Sequence, residues 1–179
     1  MGIITLKYGG VVLRALEPSD LDFLYTLEND EAVWEISNTS APYSRHILKK
    51  YIENSHQDIF ESKQLRLAIT LALDGRCIGF VDLFDFDPKH KRVGLGILIF
   101  NEQDRRKGSA LSAIKAICNY SFTHLGIHQL YANITEDNIG SVALFTKLGF
   151  LQTARKKDWI YAQGKFKDEY LFQLTKDVL

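Results

Sequence analysis

The chain has 179 residues, 46% of them hydrophobic and 25% charged, which suits a single domain over residues 1–179 with a real core. Lysine plus arginine (22) balance aspartate plus glutamate (22), so no global field draws the protein to nucleic acid or to an anionic membrane. Cys77 and Cys118, far apart and outside any C-x-x-C pattern, argue against a disulfide scaffold and point to reduced thiols.

Val11 to Leu16 reads as a first strand, and Pro18 suits the first turn of a helix. Leu21, Leu24 and Leu27, with Tyr25, form an apolar face at helical spacing. An acidic stretch, Glu28, Asp30, Glu31 and Glu35, follows around Trp34. Ser44 is placed to cap a second helix ending near Glu61, with Ile47, Tyr51 and Ile52 on its inner side. Leu65 to Leu73 and Arg76 to Phe86 read as strands joined at Asp74-Gly75, a strong hairpin signal. A turn at Asp87-Pro88 through Lys91 leads to the strand Arg92 to Phe100. Leu111 to Phe122 has helical spacing, and Leu130 to Thr135 is a short strand. Asn138 caps a helix whose apolar side is Val142, Phe145 and Leu148, and Gly149 stops it. Two final strands follow Phe150, with Gly164 near their turn and Tyr170 to Leu174 in the last. The fold class expected is a mixed α/β sheet covered by helices.

One segment points to chemistry. Arg105-Arg106-Lys107-Gly108-Ser109-Ala110 lies between an apolar strand and a helix start. The first N–H groups of a helix have no partner within it, and its dipole adds partial positive charge there. Gly108 has no side chain to block backbone approach, and the three basic residues supply charge for phosphate oxygens. Taken alone, such a run is also what a solvated surface turn looks like.

The spacing Arg105-x-x-Gly108-x-Ala110, followed by Asn138-Ile139-Gly140-Ser141 and by Lys147-Leu148-Gly149-Phe150, resembles the acetyl-CoA signature of the GNAT family of N-acetyltransferases. Within the family the chain looks most like the spermidine/diamine and the ribosomal-protein N-terminal acetyltransferases. The resemblance implies a largely antiparallel twisted sheet with helices on both faces and a splayed central strand pair. It implies acetyl-CoA as co-substrate, with direct transfer of acetyl to an amine. Residues Arg105 to Ala110 would take the pyrophosphate. The strand carrying Leu98, Ile99 and Phe100 would run beside the pantetheine arm, with free backbone groups to pair with it. The N–H near Leu98 is a candidate oxyanion donor. Asn138, Ser141, Phe145 and Lys147 fall in the second cofactor-contacting block, where Asn138 is equally a helix cap.

Two catalytic positions depart from the family pattern. Phe145 stands where many relatives carry a Tyr general acid; the resemblance to the ribosomal-protein N-terminal acetyltransferases, which have a Ser at the place of Ser141, implies Ser141 as the candidate to protonate the thiolate. Gly94 stands where relatives often carry a Glu base. Asp82 and Asp85 are the nearest carboxylates, and three apart on a strand they face opposite sides. Asp82, acting through water, is the candidate base, while Asp85 and Asp87 read as turn residues. The resemblance places the acceptor beside Glu28, Glu31, Trp34, Glu35 and Tyr43, where carboxylates favour a cationic amine. His124 and His128 straddle Gly126 without ligand spacing, so no metal is expected.

Three functions follow from these residues: acetylation of a small polyamine-like amine, acetylation of a peptide amine, or CoA binding with little catalysis. The basic residues form one short loop rather than a stripe, so no nucleic-acid partner is expected. The sequence opens without a basic and apolar leader and lacks a run of about 18 apolar residues. A cytoplasmic location with no membrane partner is expected. The resemblance also implies a homo-oligomer, a dimer or a larger ring.

Overall fold

The structure, a computed structural model, describes residues 5–176. Its strands are β1 (Lys7–Tyr8), β2 (Val11–Arg14), β3 (Leu65–Leu71), β4 (Cys77–Asp87), β5 (Arg92–Ile99), β6 (Gln129–Thr135), β7 (Leu151–Ala162) and β8 (Lys165–Thr175). They form one sheet in the order β1-β2-β3-β4-β5-β6-β8-β7. Every neighbouring pair is antiparallel except β5 and β6. This is the mixed, largely antiparallel sheet the sequence implied.

Alternation along the strands divides the core in two. Leu67, Ile69, Val81 and Leu83 face one side, where α5 (Ser109–Thr123) and α6 (Ile139–Lys147) pack through Ile114, Ile117 and Phe145. Ala68 and Phe80 face the other side, under α1 (Leu21–Glu28), α2 (Glu31–Ser37) and α3 (Arg45–Asn54). Phe23 joins that second core by packing 5.6 Å from Phe80 and 5.8 Å from Phe100, ring centre to ring centre.

Several elements differ from expectation for local reasons. The first strand stops at Arg14, and β1, whose two residues are both exposed, carries no apolar signal. The acidic stretch after α1 is itself helical, because the Asp30 side chain accepts from the Ala32 N–H at 2.9 Å and starts α2. The expected single helix from Ser44 to Glu61 is two. Ser44 caps α3 as expected, accepting from the Ile47 N–H at 3.2 Å. Asp58 then caps a separate α4 (Ile59–Ser62), accepting from the Phe60 N–H at 2.7 Å. Ile52 and the half-buried Tyr51 face inward as expected, joined by Leu48, while Ile47 is 49% exposed.

Gly79 shows how tightly β4 and β5 are joined. A Cβ there would lie 2.0 Å from the Leu98 carbonyl oxygen, which is backbone and cannot swing aside. Gly79→Ala should therefore cost about 3 kcal/mol or more, at the upper end for overpacking. Chemical denaturation would show this as a lowered midpoint at unchanged slope.

Candidate active site

The sheet opens between its two parallel strands. β6 pairs with β5 over Arg92, Val93 and Gly94 only. Backbone groups of successive strand residues point to opposite edges, so the direction of each can be counted from either end. The Lys91 carbonyl accepts from the His128 and Gln129 N–H groups on the β6 side, while the Phe100 N–H donates to the Ile78 carbonyl on the β4 side. Leu95 and Ile97 therefore direct their N–H and C=O groups to the β6 side, where the Leu95 C=O and both Ile97 groups enter the gap. Leu98 directs its own toward β4, so it cannot be the oxyanion donor suggested by sequence. Ile97 supplies the free N–H that faces the opening, since the Leu95 N–H closes the last rung of the ladder on the Tyr131 carbonyl.

The basic loop closes one end of this gap. Arg105 Nε donates to the Ile99 carbonyl and its Nη2 to the Phe100 carbonyl, both at 2.9 Å. Its first task is thus to hold the loop against the end of β5. Arg106 and Lys107 are exposed and make no salt bridge among the described residues. Gly108 caps α5 in the left-handed region (φ 84°), and nothing lies within 4 Å of where its Cβ would stand. Asp104 anchors the same loop through two 2.8 Å hydrogen bonds from Arg76.

A cavity of about 530 Å³ occupies the gap. Its walls come from both sides of the sheet: Ala132, Ile134, Ser141 and Phe145 from the α6 side, Asn133, Thr135 and Glu169 from the α2 side. The cavity is thus a passage through the sheet at the point where it splits. Leu95, Gly96 and Ile97 form its β5 wall. Asn138 lines it while capping α6, its Oδ1 accepting from the Ser141 N–H at 3.1 Å. Phe145 is 3% exposed and stacks edge-on against Phe150, so it serves the core as well as the wall. Lys147 lies in the last turn of α6, where a positive charge complements the helix dipole, and is not on the wall.

Of the expected acceptor residues, Glu35 alone is on the wall; Glu28, Glu31, Trp34 and Tyr43 are not. Trp34 Nε1 donates to the Glu28 carbonyl at 2.8 Å, a structural role. The Tyr43 backbone is clasped by Asn29, which accepts from its N–H and donates to its carbonyl. Glu28 receives a hydrogen bond from Arg66, whose guanidinium also grips Asp82 at 2.6 and 3.0 Å. Burial opposes the Arg66 charge, but Asp82 more than offsets this and raises its pKa. Both oxygens of Asp82 are thereby engaged. Asp82, the candidate base from sequence, thus ties β4 to β3 and through Arg66 to α1, and is not on the cavity wall.

Gly94 also has a steric reason. A Cβ there would lie 2.2 Å from the Phe84 ring, which packs edge-on against Tyr131 and lines the cavity. The ring fills the space a Glu side chain would need. Sequence reasoning missed Asn133, Trp159 and Glu169 altogether. Trp159 is aimed by a bulge between Lys156 and Ile160, where Asp158 has φ 49° and donates its N–H to Asp168 at 2.9 Å. An exposed Trp in a charged edge strand was the one available signal.

Residues 11–151 match the family model described as acetyltransferase (GNAT) domain. The chain belongs to the GNAT acetyltransferase family. It is 27% identical over 158 residues to the spermidine N(1)-acetyltransferase of Vibrio cholerae, spanning 88% of each chain. It is 25% identical over 167 residues to the SPbeta prophage-derived uncharacterized N-acetyltransferase YokL of Bacillus subtilis, spanning 93% of this chain and 90% of that one. Its fold resembles the crystal structure of the Vibrio cholerae spermidine N-acetyltransferase in complex with CoA and spermine, with TM-score 0.84 at 24% identity over 94% of this chain and 97% of that one. A dodecameric structure of that enzyme matches with TM-score 0.77 at 26% identity, covering 94% and 95%. This GNAT chain is accordingly an acyltransferase.

Ion pairs hold the site of this GNAT enzyme at several corners. Arg76 holds the Asp104 carboxyl below the usual range, and Lys167 does so for Asp137. The Asp158 N–H, then Arg155, do so for Asp168. Depressed carboxylates stabilise the fold fully above the unfolded pKa of about 3.9 and lose that contribution as pH falls through the folded value. Stability should hold from neutrality to about pH 5 and fall below about pH 4. Denaturant midpoints measured across that range check this.

Proposed function

We propose that residues 1–179 act as one acetyl-CoA-dependent N-acetyltransferase domain, moving acetyl to the primary amine of a small polyamine-like acceptor by direct attack in a ternary complex. The observation that carries this reading is the passage through the sheet. Its wall is built from α6 on one face of the sheet and from α2 on the other, so two substrates can meet inside it from opposite faces. The residues present fit the co-substrate. Arg106, Lys107 and the unpaired N–H groups at the start of α5 suit its phosphates, and the gap-facing edge of Leu95 and Ile97 suits its amide groups. When bound, it supplies an acetyl thioester.

The chain's own residues then perform three tasks. The Ile97 N–H faces the gap and would donate to the oxyanion. Ser141, in the first turn of α6 and on the cavity wall, would give a proton to the departing thiolate. A thiol pKa near 8.5 makes that a modest demand. The acceptor amine, with a pKa near 10, would lose its proton to solvent in the open cavity. The cavity carboxylates Glu35 and Glu169 are each held by a lysine and act as electrostatic guides instead.

A polyamine-like acceptor is supported by relatives named spermidine N(1)-acetyltransferase and by carboxylates on the α2-side wall. The dodecameric relative supports self-association of this chain as well. The peptide reading rests on Ser141 alone, by resemblance to the ribosomal-protein N-terminal acetyltransferases.

CoA release should be seen with spermidine and short diamines and be far slower with peptides. Ser141→Ala should lower kcat by about 10²-fold with little change in KM, as loss of a general acid does. Turnover on peptides alone would replace the acceptor assignment. CoA binding without turnover on any amine would mean a binding module.

A further inference from the structure

The α2-side wall of the cavity contains a seat for an ammonium group, and the protein fills it with a lysine of its own. Lys156 lies opposite Glu169 across β7 and β8 and forms an ion pair with it. The same Nζ donates to Asn133 Oδ1 at 3.1 Å and stands 5.1 Å from the centre of the Trp159 ring. An ammonium has three N–H donors and no acceptor, and a carboxylate, an amide oxygen and an aromatic face together satisfy it. All three groups, Glu169, Asn133 and Trp159, line the cavity, while Lys156 itself reaches them from the edge strand.

We propose that Asn133, Trp159 and Glu169 form a subsite for a second ammonium group of the acceptor, and that Lys156 holds this subsite in the free enzyme until the acceptor displaces it. The inference rests on the amine-acetyltransferase reading above and adds where the non-reacting end of the acceptor binds.

A contrast within the same wall supports displacement. Lys167 is also an internal cation, but its side chain is 7% exposed and lies between two carboxylates, Glu35 and Asp137. It is a fixed tie between α2, β8 and the start of α6. The Lys156 side chain is 29% exposed and has one carboxylate partner. It can swing into solvent and leave its three contacts behind. The Trp159 ring does not depend on Lys156 for its position, because the bulge that aims it is fixed by Asp168 through the Asp158 N–H.

An internal occupant weakens binding by the fraction of time it blocks the seat. Lys156→Met should therefore tighten calorimetric binding of 1,4-diaminobutane and spermidine by about 3- to 10-fold. It should do so more than for 1-aminobutane, which has no second ammonium. Lys157→Met removes the same charge one residue away without touching the seat, and should give no such gain. Glu169→Gln should weaken diamine binding relative to the monoamine and raise KM more than it lowers kcat. This second variant acts in the opposite direction, so the test does not depend on Lys156→Met alone; melting curves confirm that each variant is folded. Equal gains from Lys156→Met and Lys157→Met, or no gain from either while the wild type acetylates diamines, would overturn the subsite and leave the enzyme's function standing. A wild type that binds and acetylates no amine of this set would overturn the function, and the subsite with it.

Discussion

The parting of β5 from β6 is the constraint on which the rest of the structure depends. Two parallel strands that pair for three residues and then diverge leave hydrogen-bonding backbone facing a gap inside a sheet. Such groups are costly unless something pairs with them, which is why continuous sheets do not open at random. Here the opening is stabilised from its rim. β4 holds β5 over its whole length, β8 holds β6 over its whole length, and Arg105 takes the last free carbonyls of β5. The energy lost at the gap is offset on both flanks, and the gap remains available to a ligand with amide groups of its own.

The charges around this opening are arranged as ties more than as reagents. Arg66 joins Glu28 to Asp82, Lys167 joins Glu35 to Asp137, and Arg155 joins Glu136 to Asp168. Each is one cation shared by two carboxylates from different elements. In each the carboxylates are in excess by one, and the first two ties lie on the α1–α2 side of the sheet. That pattern favours cationic amines while holding the carboxylates in place. It also leaves Asp82 and Glu35 each engaged with a cation.

The fold was legible because its signals are local. Apolar runs and the turn signals between them marked β3 to β6, helical spacing marked α5, and Asn138, Ser44 and Gly149 do the capping their chemistry suggested. The misreadings were equally local. The break between α3 and α4 turns on one Asp58 side chain, and at the start of α3 Leu48 rather than Ile47 is buried. Motif spacing correctly brought Asn138, Ser141 and Phe145 to the cavity wall, since all three sit on one short helix beside the gap. The acceptor residues were read as a run in sequence, and a run of neighbours on α2 points in several directions. Only Glu35 of that set reached the wall.

The sequence by itself determined the family, the sheet with its two helical faces and the segments beside the gap, because periodicity, caps and motif spacing act over a few residues. The tertiary structure alone decided which side of β5 each backbone group faces, that Phe84 fills the space above Gly94, and that Asn133, Trp159 and Glu169 meet on one wall of the cavity. Those facts depend on strand register, on a bulge in an edge strand and on pairings between segments far apart in the chain. Such pairings are set by the packing of the whole sheet, and no local pattern of residue types encodes them.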